Sequence, residues 1–398
     1  MGPLEGMKVL DLSHVMAGPT CALMLADMGA DVIKVEKLPG GDDVRRQVPP
    51  RVGDEAASFL MMNRNKRGIA LDLKKEAGRR ALERLVPSVD VLVENFSPGT
   101  MERLGLGYDR LAAINPALVY CSVTGFGRTG PYARRRGFDL VAQAMSGIMS
   151  FTGEGPGRPP VKCGAPLTDI TAGILAAMGV LAAYANRLRT GRGQVVDTSL
   201  FEAGIVHTYW QSAIAFATGV APGAMGSAHP LSAPYQAFAT ADGWLVVGGA
   251  NQANWLRLVE ALEAPGLLDD PRFAENRDRI VNVAALEAAL APHFRRRGTA
   301  DWLARLEAAG VPCAPVNDVM QMHADPQAVA RGMVTEAGHA TLGQVRTIGT
   351  PVKFSRTPGG VRRGAPLLGQ HTREVLREFG FAEAEIESLF EEGAASEP

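Results

Sequence analysis

The stretch KVLDLSHVMAGPTCALMLADMGADVIKVEK, residues 8–37, carries the pattern that decides the fold of this chain. It begins with a short apolar run typical of a buried strand and continues with the helix-like segment GPTCALMLADMG. A second apolar run, DVIKVEK, then follows. A strand, a helix and another strand in this order predict a βαβ unit whose two strands are parallel.

The same alternation continues to about residue 125. The strand-like runs RGIALDL, DVLVENF and ALVYCSVTGF are separated by the helical segments KEAGRRALERLVPS, TMERLGL and RLAAI. Almost continuously apolar strands between helices predict an α/β fold with a parallel sheet covered on both faces. Such sheets bind ligands at the carboxyl ends of their strands, where this chain has the loops SHVMAGP, EKLPGGDDVRR, ENFSPGT and TGFGRTGP.

The second half of the chain has a different organisation. A long helix is predicted from about Asp169 to Leu188, followed by the strand QVVDTS and one helix, LFEAGIVHTYWQSAIAFATG. Residues 218–234 are rich in Gly, Pro, Ala and Ser and mark a boundary, and YQAFATADGWLVVGGA predicts a hairpin with ADG as its turn. The rest of the chain is predicted to form helices, then short strands after about residue 331, and then closing helices. The final segment EEGAASEP is expected to fray.

Composition excludes several classes of partner. The chain has 398 residues, which favours two domains, and its 41 basic residues balance 42 acidic ones. This balance predicts neither a nucleic acid nor a membrane surface as partner. The start, MGPLEGMKVLDLSHV, lacks the features of a secretory signal, and the most apolar stretch, residues 170–183, is too short to span a bilayer.

The cysteines and histidines indicate a reduced, metal-free protein. Four cysteines lie far apart with no paired spacing, which favours a cytoplasmic location over a disulfide framework. Seven histidines show no ligand spacing, so no metal is expected.

One motif is misleading. Residues 125–130, GFGRTG, match the G-x-G-x-x-G dinucleotide pattern, but Pro131, Tyr132 and a run of arginines follow where a helix should begin. We therefore expect no nicotinamide or flavin cofactor. The chain also lacks a G-x-S-x-G elbow and a P-loop, which leaves hydrolase and phosphotransferase functions without their usual machinery.

The segment KCGAPLTDITAG, residues 162–173, places Asp169 among small uncharged residues just before the long apolar helix. An aspartate there is favoured as a helix N-cap, and a catalytic carboxylate is the alternative. Basic residues recur near the carboxyl edge of the predicted sheet, and several converging there would bind the phosphates of a ligand.

Taken together, these segments resemble the family III CoA-transferases, a group that includes formyl-CoA transferase and the carnitine CoA-transferases. The matching stretches run in family order over about residues 4–380. They are residues 10–36, GGDDVR, NRNKRGIALDL, VENFSPGTMERLGLGY, SVTGFGRTGPYARRRGFDLVAQAMSG, GAPLTDITAG, TGRGQVVDTSLFEAG, YQAFATADGWLVVG and PLLGQHTREVL. Within the family the chain is most similar to enzymes that move CoA from succinyl-CoA to glutarate or hydroxymethylglutarate.

The resemblance implies a catalytic role for Asp169, which falls on the catalytic aspartate of the family's TDxxxG pattern. Its carboxylate would attack the donor thioester and form a mixed anhydride, which CoA thiolate would convert to an aspartyl-CoA thioester. No prosthetic group is implied, since CoA and acyl-CoA are substrates. A helix N-terminus beside Asp169 would keep its carboxylate ionised.

The resemblance also implies the CoA contacts, position by position. They are Val15, Lys37, Leu71, Leu73, Lys74, Asn95, Phe96, Arg103, Leu104 and Arg136. Lys37, Lys74, Arg103 and Arg136 would hold the phosphates, and the aliphatic positions would line the path of adenine and pantetheine.

Other positions are implied for the acyl group. Formyl-CoA transferases carry Gln where this chain has Met16, and the chain lacks the glycine tetrad of the oxalate enzymes, which argues against oxalate as a substrate. The segment GSAHPLSAPYQAF instead matches the dicarboxylate enzymes and implies His229 and Tyr235 near the acyl pocket. Backbone N–H groups of VVGGANQ, residues 246–252, including Gly248 and Gly249, are candidate donors to the oxyanion.

Two other functions remain as alternatives. The 2-methylacyl-CoA racemases resemble the chain at both ends, but they carry His in a GHD context where this chain has Phe138. Phenylalanine cannot exchange the α-proton that a racemase must move. The second alternative is a non-catalytic CoA-binding protein in which Asp169 only caps a helix.

The resemblance implies a Rossmann-like domain built from both chain ends and a smaller inserted α+β domain. The predicted limits are 1–200 with 331–398 for the large CoA-binding domain and 225–325 for the small one, with 201–224 and 326–330 as linkers. It further implies an interlocked homodimer whose active site lies between the large domain of one subunit and the small domain of the other.

Overall fold

Fourteen β-strands lie within residues 2–398, the range that this computed structural model describes. They are β1 (Lys8–Asp11), β2 (Asp31–Glu36), β3 (Arg51–Val52), β4 (Glu55–Ala56), β5 (Lys66–Leu71), β6 (Val91–Glu94), β7 (Val119–Thr124), β8 (Val195–Ser199), β9 (Tyr235–Ala239), β10 (Trp244–Gly248), β11 (Cys313–Pro315), β12 (Val334–His339), β13 (Gly343–Ile348) and β14 (Ala395–Ser396).

Eighteen α-helices and four short 3₁₀ helices connect these strands within the same range. The α-helices are α1 (Ala17–Asp27), α2 (Ala57–Met62), α3 (Glu76–Leu85), α4 (Thr100–Arg103), α5 (Tyr108–Ile114), α6 (Asp139–Met145), α7 (Ile148–Phe151), α8 (Leu167–Thr190), α9 (Leu200–Val206), α10 (Tyr209–Thr218), α11 (Gln252–Ala261), α12 (Asn276–Val281), α13 (Val283–Phe294), α14 (Thr299–Ala308), α15 (Val319–Ala324), α16 (Pro326–Ala330), α17 (Thr372–Glu378) and α18 (Glu383–Glu391). The 3₁₀ helices are Asp43–Arg46, Val86–Ser88, Pro265–Leu267 and Pro271–Phe273.

A seven-stranded sheet is the centre of the larger part of the molecule. Its strand order is β14-β5-β2-β1-β6-β7-β8, and every neighbouring pair is parallel except β14 with β5. In the register of the central strands, Leu10 lies opposite Ile33 on one side and Leu92 on the other. The α/β class and the mostly parallel sheet that the opening βαβ pattern predicts are confirmed.

The strands are apolar throughout because both faces of the sheet are covered. Leu10 belongs to a core shared with α3, α17 and α18, whereas its neighbour Val9 belongs to a second core shared with α1 and α8. Alternate residues of a strand point to opposite faces, so each strand supplies one apolar set to each core. This double burial is the physical reason for the near-continuous apolar runs.

The C-terminal residues do not fray, and this prediction was wrong. Ala395 and Ser396 form the edge strand β14, which pairs antiparallel with β5. Ala394 is fully buried, and its carbonyl accepts a hydrogen bond from the Asp72 amide at 2.8 Å. A short two-residue strand carries too little periodicity for detection from sequence, since its pairing partner is more than 300 residues away in the chain.

The chain divides into two compact units. The larger comprises residues 1–148, 162–213 and 326–398, and the smaller comprises residues 149–161 and 214–325. The division differs in detail from the predicted limits, because residues 149–161 group with the smaller unit and residues 201–213 with the larger.

The smaller unit has its own sheet and core. The predicted hairpin is confirmed as β9 and β10, which pair antiparallel, and β11 extends the sheet on the other side of β10. Trp255, Phe294 and Trp302 are among the largest side chains buried in its core. The single helix predicted over residues 200–219 is wrong, since α9 ends at Val206 and α10 begins at Tyr209.

The helix α8 is longer than predicted. It has 24 residues and, by length and composition, is the one helix among residues 2–398 that could cross a membrane, which corrects the expectation that no stretch is long enough. Its small residues, among them Ala172, Ala176 and Val180, are buried in the core that it shares with α1. Within this unit one face of α8 therefore packs in the core, whereas Ile174 and Met178 are 49% and 62% exposed.

Candidate active site

The first turn of α8 presents Asp169. The helix begins at Leu167 and its N-cap is Pro166, so Asp169 is the third helical residue. The interpretation of Asp169 as the N-cap is therefore wrong. A third-position side chain still lies at the positive end of the helix dipole, but it is free of the capping hydrogen bond.

The Asp169 carboxylate is half-buried and available for chemistry. Among residues 2–398 no group donates a hydrogen bond to it or pairs with it. Burial raises the pKa of Asp169 to about 7, and the nearby negative charge of Asp139 adds to the increase. The expectation that the helix N-terminus keeps this carboxylate ionised is therefore corrected, since burial and the charge of Asp139 oppose the effect of the helix dipole.

Asp139 organises the chain around Asp169. Its Oδ1 accepts hydrogen bonds from the Thr168 amide at 2.9 Å and the Thr168 hydroxyl at 2.7 Å, while its Oδ2 accepts one from Gln143 at 2.7 Å. Gln143 in turn accepts a hydrogen bond from the Cys163 amide at 2.8 Å. One carboxylate thus holds α6 and the start of α8 together, with the residue before Asp169 as the point of attachment.

The loop after β1 has a strained backbone. Val15 has a φ of +67°, in the left-handed region that a β-branched residue rarely adopts. The Val15 amide donates to Asp42 at 3.0 Å, and the neighbouring residue His14 exchanges two hydrogen bonds of 2.8 Å with the Asn95 side chain. Strain of this kind persists only where the surroundings impose it. Val15 and Asn95, two predicted CoA contacts, therefore lie side by side, and half-buried Met16 follows them.

A buried ion pair lies behind this loop. The Lys34 ammonium and the Asp42 carboxylate are 2.8 Å apart with both side chains fully buried. Burial raises the pKa of Asp42, but Lys34 and His14 outweigh it and hold that pKa well below its usual value. Asp42 thus stays ionised and serves as the acceptor that maintains Val15 in its unusual conformation.

A cavity of about 550 Å³ opens at the carboxyl ends of β6 and β7, where the parallel sheet predicts a ligand site. Phe96 and Arg103, two predicted CoA contacts, line it together with Arg128 and Arg134. Among the described residues neither Arg103 nor Arg134 has a carboxylate within ion-pair distance, so both are available to an anion.

Glu94 lines the same cavity and was missed by the sequence analysis. It is the last residue of β6, is 6% exposed, and its Oε2 accepts a hydrogen bond from the Phe96 amide at 2.9 Å. Burial raises its pKa. The only signal in the sequence was its place at the end of an apolar strand.

The remaining predicted CoA positions differ in how they could meet a ligand. Lys37 is exposed and pairs with Asp43 at 2.7 Å, whereas Lys74 and Arg136 are exposed on the surface. Leu71 is completely buried in the core as the last residue of β5, where it pairs with Ala395. Leu73 and Leu104 are half-buried against the same core.

The predicted acyl-pocket residues of the smaller unit lie near one another. The rings of His229 and Tyr235 meet edge to face with centroids 5.4 Å apart, and the His229 amide donates to the Tyr235 carbonyl at 3.1 Å. Tyr235 and Gly248 line a cavity of about 700 Å³ with Ser232, Ala250, Asn251, Gln252, Glu275 and Asn276. A Cβ on Gly249 would lie 2.9 Å from Leu258, so this glycine is required by close packing.

Phe138 lies in the larger unit, directly before Asp139. It is 75% exposed, which is unusual for a phenylalanine. It carries no group that could move a proton.

The geometry agrees with setting aside the dinucleotide motif. After residues 125–130 the chain makes turns, and the next helix begins only at Asp139. No helix N-terminus therefore follows the glycines to receive a pyrophosphate. Within residues 2–398 no three His, Cys, Asp or Glu side chains are arranged to hold a metal ion.

Comparison with known proteins yields one consistent family. The sequence model described as CoA-transferase family III matches residues 4–372. The mouse (Mus musculus) protein named succinyl-CoA:glutarate CoA-transferase is 39% identical over 98% of this chain and 89% of its own length. An Acetobacter aceti protein named acetyl-CoA:oxalate CoA-transferase is 40% identical over 96% of this chain and 97% of its own length.

A solved structure shows the same fold. The crystal structure of a CaiB/BaiF family protein from Brucella suis superimposes with a TM-score of 0.86 and 41% sequence identity, and covers 95% of this chain and 99% of that one.

Proposed function

Because this chain belongs to CoA-transferase family III, we propose that it transfers CoA from succinyl-CoA to a second dicarboxylic acid through covalent intermediates on Asp169. The observation that carries this proposal is the Asp169 carboxylate itself, half-buried in the first turn of α8 and without a hydrogen-bond or ion-pair partner among the described residues. A carboxylate that nothing else engages is free to act as a nucleophile.

The first half of the reaction transfers the succinyl group and then CoA to the enzyme. An Asp169 oxygen bonds to the thioester carbonyl carbon, the C–S bond breaks, and CoA leaves as the thiolate. The thiolate then attacks the Asp169 carboxyl carbon of the resulting anhydride. Its C–O bond breaks, free succinate leaves, and an aspartyl-CoA thioester remains.

The second half repeats these steps with the acceptor acid. An acceptor carboxylate oxygen attacks the aspartyl carbonyl carbon and expels the thiolate, which leaves a second anhydride. The thiolate attacks the acceptor carbonyl of that anhydride, and the Asp169 carboxylate is released together with the new acyl-CoA. Each intermediate is an anhydride or a thioester, so the free energy of the donor thioester is conserved and the exchange requires neither ATP nor a metal.

The cavity at the ends of β6 and β7 supports binding of the nucleotide part of CoA. Arg103 and Arg134 provide guanidinium groups without a carboxylate partner among the described residues, and Arg–phosphate hydrogen bonds are among the strongest in proteins. Lys37, Lys74 and Arg136 are exposed cations that would add to the attraction. Val15, Asn95 and Phe96 would contact CoA from the loops after β1 and β6.

The acceptor is proposed to be a dicarboxylic acid, with His229, Tyr235, Gly248 and Gly249 near its acyl part. The mouse relative is named for glutarate and the Acetobacter relative for oxalate. Candidate acceptors differ by a methyl or hydroxyl group, and a few side chains of a pocket decide between them. We further propose a cytoplasmic location, which fits four free cysteines. We also propose a homodimer, because exposed apolar side chains such as Phe216, 89% exposed, are unusual on a monomer.

A labelling experiment tests the mechanism. The purified protein is incubated with succinyl-CoA that carries ³H in its CoA part, because CoA and not succinate remains on Asp169, first alone and then with glutarate, malate, mesaconate, itaconate, citramalate or hydroxymethylglutarate. We expect hydroxylamine-sensitive label on the Asp169 peptide and formation of a new acyl-CoA with one or more of these acids. The matched variant Asp169→Asn should bind CoA, take up no label and lose at least about 10³-fold in turnover.

Two results would contradict the proposal. Tight CoA binding with no label on the native protein would indicate a binding protein without catalytic activity. Deuterium exchange at the α-carbon of a 2-methylacyl-CoA, with no transfer of CoA, would indicate a racemase.

A further inference from the structure

The smaller unit contains a fully buried guanidinium group, that of Arg279 in α12. The side chain is 0% exposed, and among the described residues no carboxylate lies within ion-pair distance of it. A buried charge without a counter-ion is costly unless hydrogen bonds replace its hydration. The proposed chemistry of Asp169 assigns no step to Arg279, so the burial of its charge calls for an explanation of its own.

Five oxygen atoms take the place of water around Arg279. Its Nε donates to the Ala233 carbonyl at 2.7 Å, and its Nη2 donates to the Ala250 carbonyl at 3.1 Å. Its Nη1 contacts the remaining three acceptors, which are the side chain of Gln252 at 3.1 Å and the carbonyls of Phe273 at 3.0 Å and Ala274 at 3.3 Å.

These acceptors belong to three separate segments of the chain. Ala233 precedes β9, Ala250 and Gln252 follow β10, and Phe273 and Ala274 precede α12. The guanidinium also lies 5.0 Å from the ring centroid of Trp255 in α11. Only a planar fork with five donors can join three segments in this way, and a lysine ammonium has three donors on a single atom.

Of the three segments that Arg279 joins, the segment after β10 contributes consecutive residues to the wall of a cavity. Ala250, Asn251 and Gln252 line the cavity of about 700 Å³ that Tyr235 and Gly248 also line. Because the Ala250 carbonyl is directed at the guanidinium and the peptide is trans, the Asn251 N–H of the same peptide points away from Arg279. The guanidinium thereby decides which side of this peptide carries the donor.

We propose that Arg279 is a positioning residue that sets the conformation of the Gly248–Gln252 loop and thereby the recognition of the acid substrate in this cavity. The inference rests on the proposed function for the identity of that acid. Arg279 does not line the cavity itself, so it would act on the substrate through the loop.

The test compares four variants of the full-length protein, Arg279→Lys, Arg279→Met, Gln252→Ala and the double variant Gln252→Ala/Arg279→Lys. We expect KM for succinate and for the acceptor acid to rise at least about tenfold in Arg279→Lys and further in Arg279→Met, while the Kd of CoA stays within about twofold. Gln252→Ala removes one acceptor, so its effect should be smaller and not additive with Arg279→Lys.

The matched control is Arg277→Lys, two residues earlier on the same helix, whose side chain is 78% exposed. It should leave KM, kcat and the melting temperature unchanged. A merely structural role would lower the melting temperature and the active fraction of Arg279→Lys without altering KM for either acid, and this result would overturn the inference. If Arg279→Met fails to fold, Arg279→Lys and Gln252→Ala still decide the question.

Hydrogen exchange separates this inference from the proposed function. The amides of residues 248–255 should exchange faster in Arg279→Lys than in the native protein or in Arg277→Lys, whether or not a transferase activity is found. A native protein that transfers no CoA would refute the proposed function alone. Unchanged exchange in residues 248–255 of Arg279→Lys would refute the positioning role alone.

Discussion

At the residue scale, the reactivity of Asp169 depends on opposing influences. Its place in the first turn of a 24-residue helix favours the ionised carboxylate, while burial and Asp139 favour the protonated acid. The net result is a pKa of about 7, which makes the side chain more basic than an ordinary aspartate. A more basic carboxylate is a better nucleophile once it is ionised. The raised pKa therefore increases the reactivity of Asp169, but it also means that the side chain is mostly protonated and unreactive below pH 7.

The first prediction concerns the pH dependence of this reactivity. Only ionised Asp169 can attack, so kcat/KM for succinyl-CoA should fall about tenfold per unit below pH 7 and reach a plateau above it. In Asp139→Asn the like charge is gone, the pKa of Asp169 falls, and the acid limb should move to lower pH by up to about one unit. Initial rates between pH 5 and 9 measure both profiles.

The control for this experiment is Asp54→Asn, which removes an exposed carboxylate in a turn between β3 and β4. Its profile should coincide with that of the native protein. An acid limb that stays in place in Asp139→Asn would show that Asp139 does not act on Asp169.

At the element scale, the edge strand β14 shows how a few residues complete a sheet. Its pairing with β5 is supplemented by a hydrogen bond of 2.7 Å from the Thr372 hydroxyl to the Ser396 carbonyl. Without β14, the pairing of Ala70 and Leu71 with Ser396 and Ala395 would be lost, and an open edge also invites pairing with other chains.

The second prediction is that removing residues 394–398 lowers the free energy of unfolding by roughly 2–4 kcal/mol. The loss comprises a few backbone hydrogen bonds of about 0.5–1.5 kcal/mol each and the burial of Ala394 and Ala395. Urea denaturation followed by circular dichroism measures the change.

A shorter truncation that removes only Glu397 and Pro398 is the control. It deletes an exposed ion pair between Glu397 and Arg373 and should cost less than about 1 kcal/mol. Equal effects of the two truncations would mean that β14 contributes nothing to stability.

At the scale of the whole molecule, apolar side chains remain exposed around α10. No residue of this helix is buried, and Tyr209, Trp210 and Phe216 are 71%, 59% and 89% exposed. Val220, just after the helix, is 65% exposed. An exposed apolar surface of this kind favours an interface with a second copy of the chain, as proposed above.

The third prediction is therefore a dimer in solution that depends on α10. Sedimentation at micromolar concentration should give a dimer for the native protein, and Phe216→Glu should shift the distribution towards the monomer because it buries a charge in the interface. Val329→Glu, an equally drastic change at an exposed position of α16, should remain dimeric. A native monomer, or equal dissociation in both variants, would contradict the role of α10.

Local patterns explain which features were predictable from the sequence. The strands of the main sheet in residues 8–124 follow from their apolar runs, because burial on both faces requires such runs, whereas the short elements β3, β4 and α2 were not predicted. The hairpin β9–β10 follows from its turn residues for the same local reason. The break between α9 and α10 was missed because residues 200–219 are mostly apolar and contain no proline to mark an end.

The candidate site was predictable only where one residue carries the signal. Asp169 stands out because it is the single carboxylate among small residues before an apolar helix. Glu94, Asp139 and Arg279 do not stand out, since each is an ordinary charged residue next to an ordinary element. Their importance lies in what surrounds them, namely a cavity, a second carboxylate and five carbonyl or amide oxygens.

The sequence by itself determined the α/β class, the parallel sheet, the place of Asp169 at the start of a long helix and the resemblance to CoA-transferases. These properties depend on residues close together in the chain. Tertiary structure alone decided the raised pKa of Asp169, the left-handed backbone of Val15, the pairing of β14 and the burial of Arg279. Each of these depends on which distant segments meet, because desolvation and hydrogen bonding act through space and not along the sequence.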